Sequence, residues 1–135
     1  MEVFADTWYY VALLDERDQH HEQAKEHANQ LTHGQVTTRW VLAEVANALC
    51  RVRTRSAGIR FLRRLESLRW VRVIANSDDL FERGRLLYEQ RPDKEWSLTD
   101  CISFATMGRE GIREALTNDH HFSQAGFIAT FANIG

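Results

Sequence analysis

The sequence has few of the residues that characterise secreted and membrane-bound proteins. Its 135 residues include only two cysteines, Cys50 and Cys101, which form no CxxC pair, and one proline. Two distant thiols are typical of a reduced, cytoplasmic protein and exclude a disulfide framework. No apolar run approaches the roughly 20 residues of a transmembrane helix, and the N-terminus has no basic segment followed by an apolar one, as a signal peptide would. We therefore expect a cytoplasmic protein that does not enter a membrane.

Short apolar segments alternate with amphipathic stretches, and this alternation indicates the fold class. Apolar and β-branched runs predict strands near residues 3–5, 35–38, 70–75, 114–117 and 127–131. Helical periodicity lies between them, at 8–14, 19–31, 40–53, 59–68, 77–90, 98–107 and 119–123. Because strands separated by helices form parallel sheets, we predict one α/β domain over residues 1–135. It should be a three-layer α/β/α sandwich around a central parallel sheet of four to five strands.

The same periodicity makes local predictions about the helices. The buried face of helix 40–53 is expected to carry Val41, Val45, Ala48, Leu49 and Val52. Residues 56–58 should separate this helix from the next one, and Gly108 should interrupt the chain after helix 98–107. The polar helix 19–31 has only a narrow apolar stripe, so we expect an exposed position for its histidines, His20, His21 and His27.

Two aspartates follow predicted strands directly. Asp6 comes after the first strand, and Asp119 comes just after the strand at 114–117. In open α/β sheets, ligands bind at the edge formed by the carboxyl ends of the strands. The structural alternative for each residue is a helix N-cap, a position where aspartate is common.

Two further acids occupy predicted core-facing positions on helices. Glu44 lies three residues after Val41 and four before Ala48, so it shares the apolar side of its helix. A buried carboxylate has to be paired, protonated or bound to a metal, unless Glu44 lies at the edge of that face and reaches water or an arginine. Asp100 follows Ser97 by three residues, which is the spacing of a capping box and a sufficient structural explanation in itself.

Convergence of these four acids would create a site for a cation. Each close pair of carboxylates repels by on the order of a few kcal/mol, and a hard divalent cation such as Mg²⁺ or Mn²⁺ removes that cost. Such a site serves phosphoryl transfer. Zinc is not expected, because the sequence has no HExxH motif and the adjacent side chains of His120 and His121 should point apart on a helix.

Positive charge is concentrated in one segment. Eight arginines and one acid lie between residues 51 and 72, a net charge of +7. Arginine is the better bidentate partner for phosphate or carboxylate. The alternative is an ordinary solvated helix face.

The order of the acids resembles the PIN domain family, and within it the VapC-type ribonuclease toxins of prokaryotic toxin–antitoxin pairs. The resemblance rests on Asp6-Thr7 after an apolar strand, Glu44 in a helix, WSLTDC at positions 96–101 and TNDHHF at positions 117–122. It implies a central parallel sheet and endonucleolytic cleavage of RNA that depends on Mg²⁺ or Mn²⁺. It also implies a homodimer and a cognate antitoxin protein.

The resemblance also implies a role for individual residues. The catalytic and metal-binding quartet would be Asp6, Glu44, Asp100 and Asp119, with Glu44 binding the metal or orienting the attacking water. Thr7 and Thr99 would be polar supports. Contacts to RNA or to the antitoxin would come from Arg51, Arg53 and Arg55. Two alternatives stay open: a stand-alone PIN nuclease without an antitoxin, and a non-catalytic interaction module with the PIN fold.

Overall fold

The computed structural model describes residues 1–132, and they form one sheet of five parallel strands. The strands are β1 (Glu2–Ala5), β2 (Gly34–Thr38), β3 (Val71–Ile74), β4 (Glu114–Leu116) and β5 (Ile128–Ala129). Their order is β3-β2-β1-β4-β5, so β1 is central. Val3, Phe4 and Ala5 are all buried, as expected for a strand whose apolar side chains are covered on both faces of the sheet.

In the described part of the chain, seven helices lie between and around these strands. They are α1 (Thr7–Leu14), α2 (His21–Gln30), α3 (Arg39–Ala48), α4 (Val52–Arg64), α5 (Asp78–Gln90), α6 (Leu98–Glu110) and α7 (His120–Gln124), with a 3-10 turn at Leu65–Ser67. Because crossovers between parallel strands are right-handed, the helices α1–α4 and the pair α5–α6 cover opposite faces. The predicted three-layer α/β/α fold is confirmed. Within residues 1–132, no helix is long and apolar enough to cross a membrane.

The direction of the chain across the sheet reverses at β1. The chain runs from β1 through β2 to β3, and then returns to β4 and β5 on the other side of β1. Strands β1 and β4 pair through Phe4 with Ala115 and Ala5 with Leu116. Asp6 and Thr117, the next residue of each strand, therefore lie side by side at the carboxyl edge. A reversal of this kind creates the crevice in which open α/β sheets bind ligands.

The predicted boundary between the third and fourth helices is wrong. Helix α3 ends at Ala48, which is exposed, and Val52 begins α4 with 98% of its surface exposed. Residues 56–58 lie inside α4 rather than breaking it. The buried side of α4 is formed by Thr54, Gly58 and Phe61, and a Cβ on Gly58 would lie 3.4 Å from the Cβ of Leu49. Val41, Val45 and Leu49 are buried as predicted, whereas Ala48 and Val52 are exposed because α3 ends at Ala48 and a new helix begins at Val52.

Helix α6 also differs from the prediction. It continues through Gly108 to Glu110 and ends at Gly111, whose φ of 69° is left-handed and suits a glycine C-cap. Its partner α5 approaches it closely at Gly84, because a Cβ there would overlap Cγ1 of Ile102 and lie 2.9 Å from the Ile102 Cα. A bare backbone at Gly84 is therefore required for these two helices to pack as they do.

The histidines of the second predicted helix are half-buried, not exposed as predicted. The ring of His27 lies 5.0 Å from the ring of Phe131, and that of His20 lies 5.2 Å from Trp8. Nδ1 of His21 is 2.9 Å from the Ala12 carbonyl oxygen. Helix α2 thus contacts α1 through His21, while His27 packs on the segment after β5.

Candidate active site

A cleft of about 460 Å³ opens at the carboxyl edge of the sheet, where β1 and β4 end. The residues that line it come from both strand ends, from α3 and from the start of α6: Asp6, Thr7, Trp8, Glu44, Glu95, Ser97, Asp100, Asn118, Asp119 and His121. Five of these described residues are acids and none is lysine or arginine. The fold therefore brings together all four acids that the sequence singled out. A larger, mainly apolar groove of about 820 Å³ between α1, α2 and α4 contains none of the four.

Asp6 is buried at the end of β1. It occupies the N-cap position of α1, but its side chain makes no capping hydrogen bond, and the helix starts instead on its backbone oxygen, which accepts from the amide of Tyr9 at 3.1 Å. The Thr117 hydroxyl donates to Oδ2 of Asp6 at 2.8 Å. Burial raises the pKa of Asp6 to about 7, against the lowering effects of the Thr117 hydroxyl and the Thr7 amide. Capping thus does not explain this carboxylate.

Glu44 is half-buried on α3 and points to the same cleft. The Thr7 hydroxyl donates a 2.6 Å hydrogen bond to its Oε1. Thr7 is the first residue of α1, so this contact connects the end of β1 to the middle of α3. The predicted supporting position of Thr7 is therefore consistent with the geometry.

Asp100 and Asp119 are both helix caps and both line the cleft. Ser97 and Asp100 form a reciprocal capping box at the start of α6, in which the Ser97 amide donates to Oδ2 of Asp100 at 3.2 Å. Oδ1 of Asp119 accepts the His121 amide at 2.9 Å. Burial raises the pKa of Asp100, while the hydrogen bond from the Ser97 backbone lowers it and the nearby charge of Asp119 raises it further. For these two acids, the capping role and a place in the cleft coexist.

Comparison with known proteins agrees with this arrangement. The model of the PIN domain family matches residues 3–128. The chain belongs to the PIN domain family.

The PIN domain is similar along most of its length to a characterised relative. It is 32% identical over 129 residues to the 23S rRNA-specific endonuclease VapC20 of Mycobacterium tuberculosis, covering 93% of this chain and 95% of the relative. The crystal structure of that protein, described as a sarcin-ricin loop cleaving toxin, matches with a TM-score of 0.86 and 29% identity over 93% of this chain and 96% of the other. A toxin–antitoxin complex from Klebsiella pneumoniae shares the fold at 20% identity, with a TM-score of 0.61 and coverage of 98% and 92%.

His121 is a residue of this PIN domain's cleft that sequence reasoning missed. Its Nδ1 lies 3.2 Å from Oδ1 of Asp119 and 3.4 Å from Oδ2 of Asp100. The argument that adjacent histidines point apart was wrong here, since the rings of His120 and His121 have centroids 4.5 Å apart. The position of His121, two residues after a strand-end aspartate, was the available signal.

The structure also changes the set of supporting residues. Thr99 is half-buried but does not line the cleft. Thr117 takes the role expected of such a support, because its hydroxyl contacts Asp6 and also accepts the Asp119 amide at 3.0 Å. Glu95 adds a fifth carboxylate at the rim. Thr117 is the first residue of the TNDHHF motif, but only the pairing of β1 with β4 brings its hydroxyl to Asp6, so the motif alone did not identify it as a support.

The predicted arginine contacts lie outside the cleft. Arg51, Arg53 and Arg55 are exposed at the start of α4 and do not line it. Arg53 forms a bidentate ion pair with Asp15, with N–O distances of 2.8 and 3.1 Å. Arg55 donates to the Cys50 carbonyl oxygen at the start of its own helix. The geometry gives two of the three arginines a structural role.

Proposed function

We propose that this PIN domain is a metal-dependent endoribonuclease that acts as the toxin of a toxin–antitoxin pair. The observation that carries the proposal is the cleft itself, in which five carboxylates and one imidazole surround a single space with no lining lysine or arginine among the described residues. The similarity to a 23S rRNA-specific endonuclease over 93% of the chain supports RNA as the substrate.

The donor set fits a divalent cation such as Mg²⁺ or Mn²⁺. Oxygen ligands suit both ions, and Asp6, Asp100 and Asp119 offer carboxylate oxygens from the ends of two strands and the start of α6. Burial raises the pKa of both Asp6 and Asp100, so charge in this cleft is costly when nothing balances it. When bound, a divalent cation would lower the pKa of a coordinated water and stabilise negative charge on the scissile phosphate.

The residues of the chain would then position the reactants. Thr117 fixes Asp6, and Thr7 fixes one oxygen of Glu44, leaving Oε2 of Glu44 to orient the attacking water and accept its proton. The acidic lining repels an RNA phosphate, so binding of RNA at the cleft would require the cation.

Outside the cleft, Arg51, Arg53 and Arg55 would contact either an antitoxin or a part of the RNA distant from the cleaved bond. We propose a homodimer as well, which size-exclusion chromatography with light scattering would test.

The decisive experiment is cleavage of RNA by matched variants. The substrates are intact ribosomes and isolated 23S rRNA, incubated with Mg²⁺ or Mn²⁺. We expect Asp6→Asn and Asp100→Asn to cleave at least about 100-fold more slowly than wild type, since removal of a ligand to a catalytic metal is costly. Asp79→Asn is the control, because Asp79 is an exposed acid on α5 paired with Arg83. Unaltered cleavage by both cleft variants would refute the proposal.

The toxin role has its own test. Expression of the wild-type chain in a bacterial host should arrest growth, and Asp100→Asn should not. Co-expression of the short reading frame next to the gene should restore growth if that frame encodes an antitoxin. Cleavage of RNA in vitro without growth arrest would identify a stand-alone nuclease instead.

A further inference from the structure

We propose that His121 supplies a nitrogen ligand to the divalent cation of the acidic cleft, beside Asp100 and Asp119. This ligand would make the cleft prefer Mn²⁺ to Mg²⁺. The inference rests on the proposed function, because it takes the acids of the cleft to bind a cation.

The first argument is the state of the His121 ring nitrogen. Nδ1 is buried and has no hydrogen-bond partner among the described residues, although two carboxylate oxygens lie 3.2 and 3.4 Å away. A buried polar atom without a partner costs folding free energy. An imidazole that only neutralised these acids would direct an N–H at one of them, and this ring does so for neither. A cation bound by Asp100 and Asp119 would be coordinated by the lone pair of His121 Nδ1, which no hydrogen bond uses.

The second argument is the spacing of the donor atoms. Adjacent ligands of an octahedral cation, each about 2.1–2.3 Å from the metal, lie about 3.0–3.3 Å apart. The distances from His121 Nδ1 to Oδ1 of Asp119 and Oδ2 of Asp100 are 3.2 and 3.4 Å. The nitrogen is therefore spaced from each of these two oxygens as neighbouring ligands of one ion are.

The third argument is how the backbone holds the ring. Asp119 caps α7 by accepting the His121 amide at 2.9 Å. This hydrogen bond keeps the His121 side chain close to the Asp119 carboxylate. Its side chain is 20% exposed, whereas that of the adjacent His120 is 73% exposed and its Nδ1 lies 3.8 Å from Oδ1 of Asp119. His121 lines the cleft and His120 does not, although their rings lie 4.5 Å apart, so His120 offers a matched control.

The preference for Mn²⁺ follows from ligand chemistry. Both ions favour oxygen ligands, but Mg²⁺ dehydrates reluctantly and keeps several waters, whereas Mn²⁺ belongs to the transition-metal series, in which imidazole is a common ligand. Replacing His121 should therefore weaken Mn²⁺ binding at least about tenfold, because loss of even an outer-shell partner of a metal ligand weakens binding by about 10- to 100-fold. Mg²⁺ binding should change much less.

The test uses Mn²⁺ alone with the full chain at about pH 8. Pulsed electron paramagnetic resonance detects a nitrogen nucleus bound directly to Mn²⁺, and titration calorimetry gives the affinities for Mn²⁺ and Mg²⁺. We expect the nitrogen signal in wild type and in His120→Asn, and its loss in His121→Asn. Thermal unfolding checks that the variants are folded, and His121→Ala replaces His121→Asn if the latter is not.

The outcomes separate this inference from the proposed function. Mn²⁺ binding that Asp100→Asn abolishes but that carries no nitrogen signal would overturn the role of His121 and leave the metal-dependent nuclease standing. A nitrogen signal that persists in His121→Asn and disappears in His120→Asn would also overturn it. Absence of any Mn²⁺ binding that depends on Asp100 would overturn both proposals together.

Discussion

Thr117 and Asp6 are 111 residues apart in the sequence and are joined by a buried hydrogen bond of 2.8 Å. The same Thr117 oxygen accepts the Asp119 amide at 3.0 Å. Thr117 is fully buried, so water cannot take over either contact. One hydroxyl therefore fixes two of the proposed metal ligands, one at the end of each central strand.

The first prediction concerns this hydroxyl. Thr117→Val keeps the shape of the side chain but removes both hydrogen bonds, so we expect Mn²⁺ affinity to fall about 10- to 100-fold and stability to fall by about 1–3 kcal/mol. Thr117→Ser retains the hydroxyl and should restore the affinity. Titration calorimetry and urea unfolding measure the two effects. Equal affinities for the Val and Ser variants would show that the hydroxyl has no part in holding the ligands.

The second prediction concerns the pH dependence of stability without metal. Burial raises the pKa of Asp6 to about 7 in the folded protein, against about 3.9 for an unfolded chain. The folded state therefore retains a proton that the unfolded state has lost, and stability falls as pH rises from about 4 to about 7. Asp6→Asn removes this cost, so in a chelator it should be more stable than wild type by on the order of 2–4 kcal/mol at pH 8.

Urea unfolding of both proteins between pH 4 and pH 8 checks this prediction. The amide oxygen of asparagine can still accept the Thr117 hydroxyl, so the comparison isolates the charge. Asp79→Asn again controls for loss of an exposed aspartate. A stability difference between Asp6→Asn and wild type that does not change over this pH range would contradict the assignment. Added Mn²⁺ should reverse the order, because it binds the ionised carboxylate and therefore the wild-type fold.

The third prediction uses two glycines with opposite surroundings. At Gly84 a Cβ would overlap Cγ1 of Ile102, so Gly84→Ala should destabilise the protein by about 1–3 kcal/mol. Gly108 is exposed inside α6 with no atom within 4 Å of a Cβ. Gly108→Ala should therefore stabilise the protein by about 0.5–1 kcal/mol. Urea midpoints give the direction of each change in stability, and an unchanged or raised midpoint for Gly84→Ala would contradict the close approach of α5 and α6.

Much of the fold could be predicted from the sequence because its determinants are local. The apolar run Val3–Ala5 indicated a strand covered on both faces, and the spacing of Ser97 and Asp100 predicted the capping box that the structure contains. The four acids were found for a similar reason, since each lies at a strand end or on the core side of a helix. Their roles in metal binding and catalysis remain predictions.

What could not be predicted depends on contacts between distant segments. The strand order places β4 beside β1, and only that pairing gives Thr117 its role. The sequence predicts a break between helices at residues 56–58, whereas Gly58 lies inside α4 and packs toward Leu49. His121 was dismissed by a rule about ideal helices, whereas it lies in the first turn of a five-residue helix whose cap holds it near the cleft.

The central position of β1 determines when during synthesis the protein can become active. Asp6, Glu44 and Asp100 all precede β4 in the sequence, but β1 acquires its second neighbour only when residues 114–116 are available to pair with it. A nascent chain that ends before β4 contains three of the four acids but lacks the side of the cleft that β4 and Asp119 form. We therefore expect the complete cleft to form only late in translation, after the first hundred residues have been made.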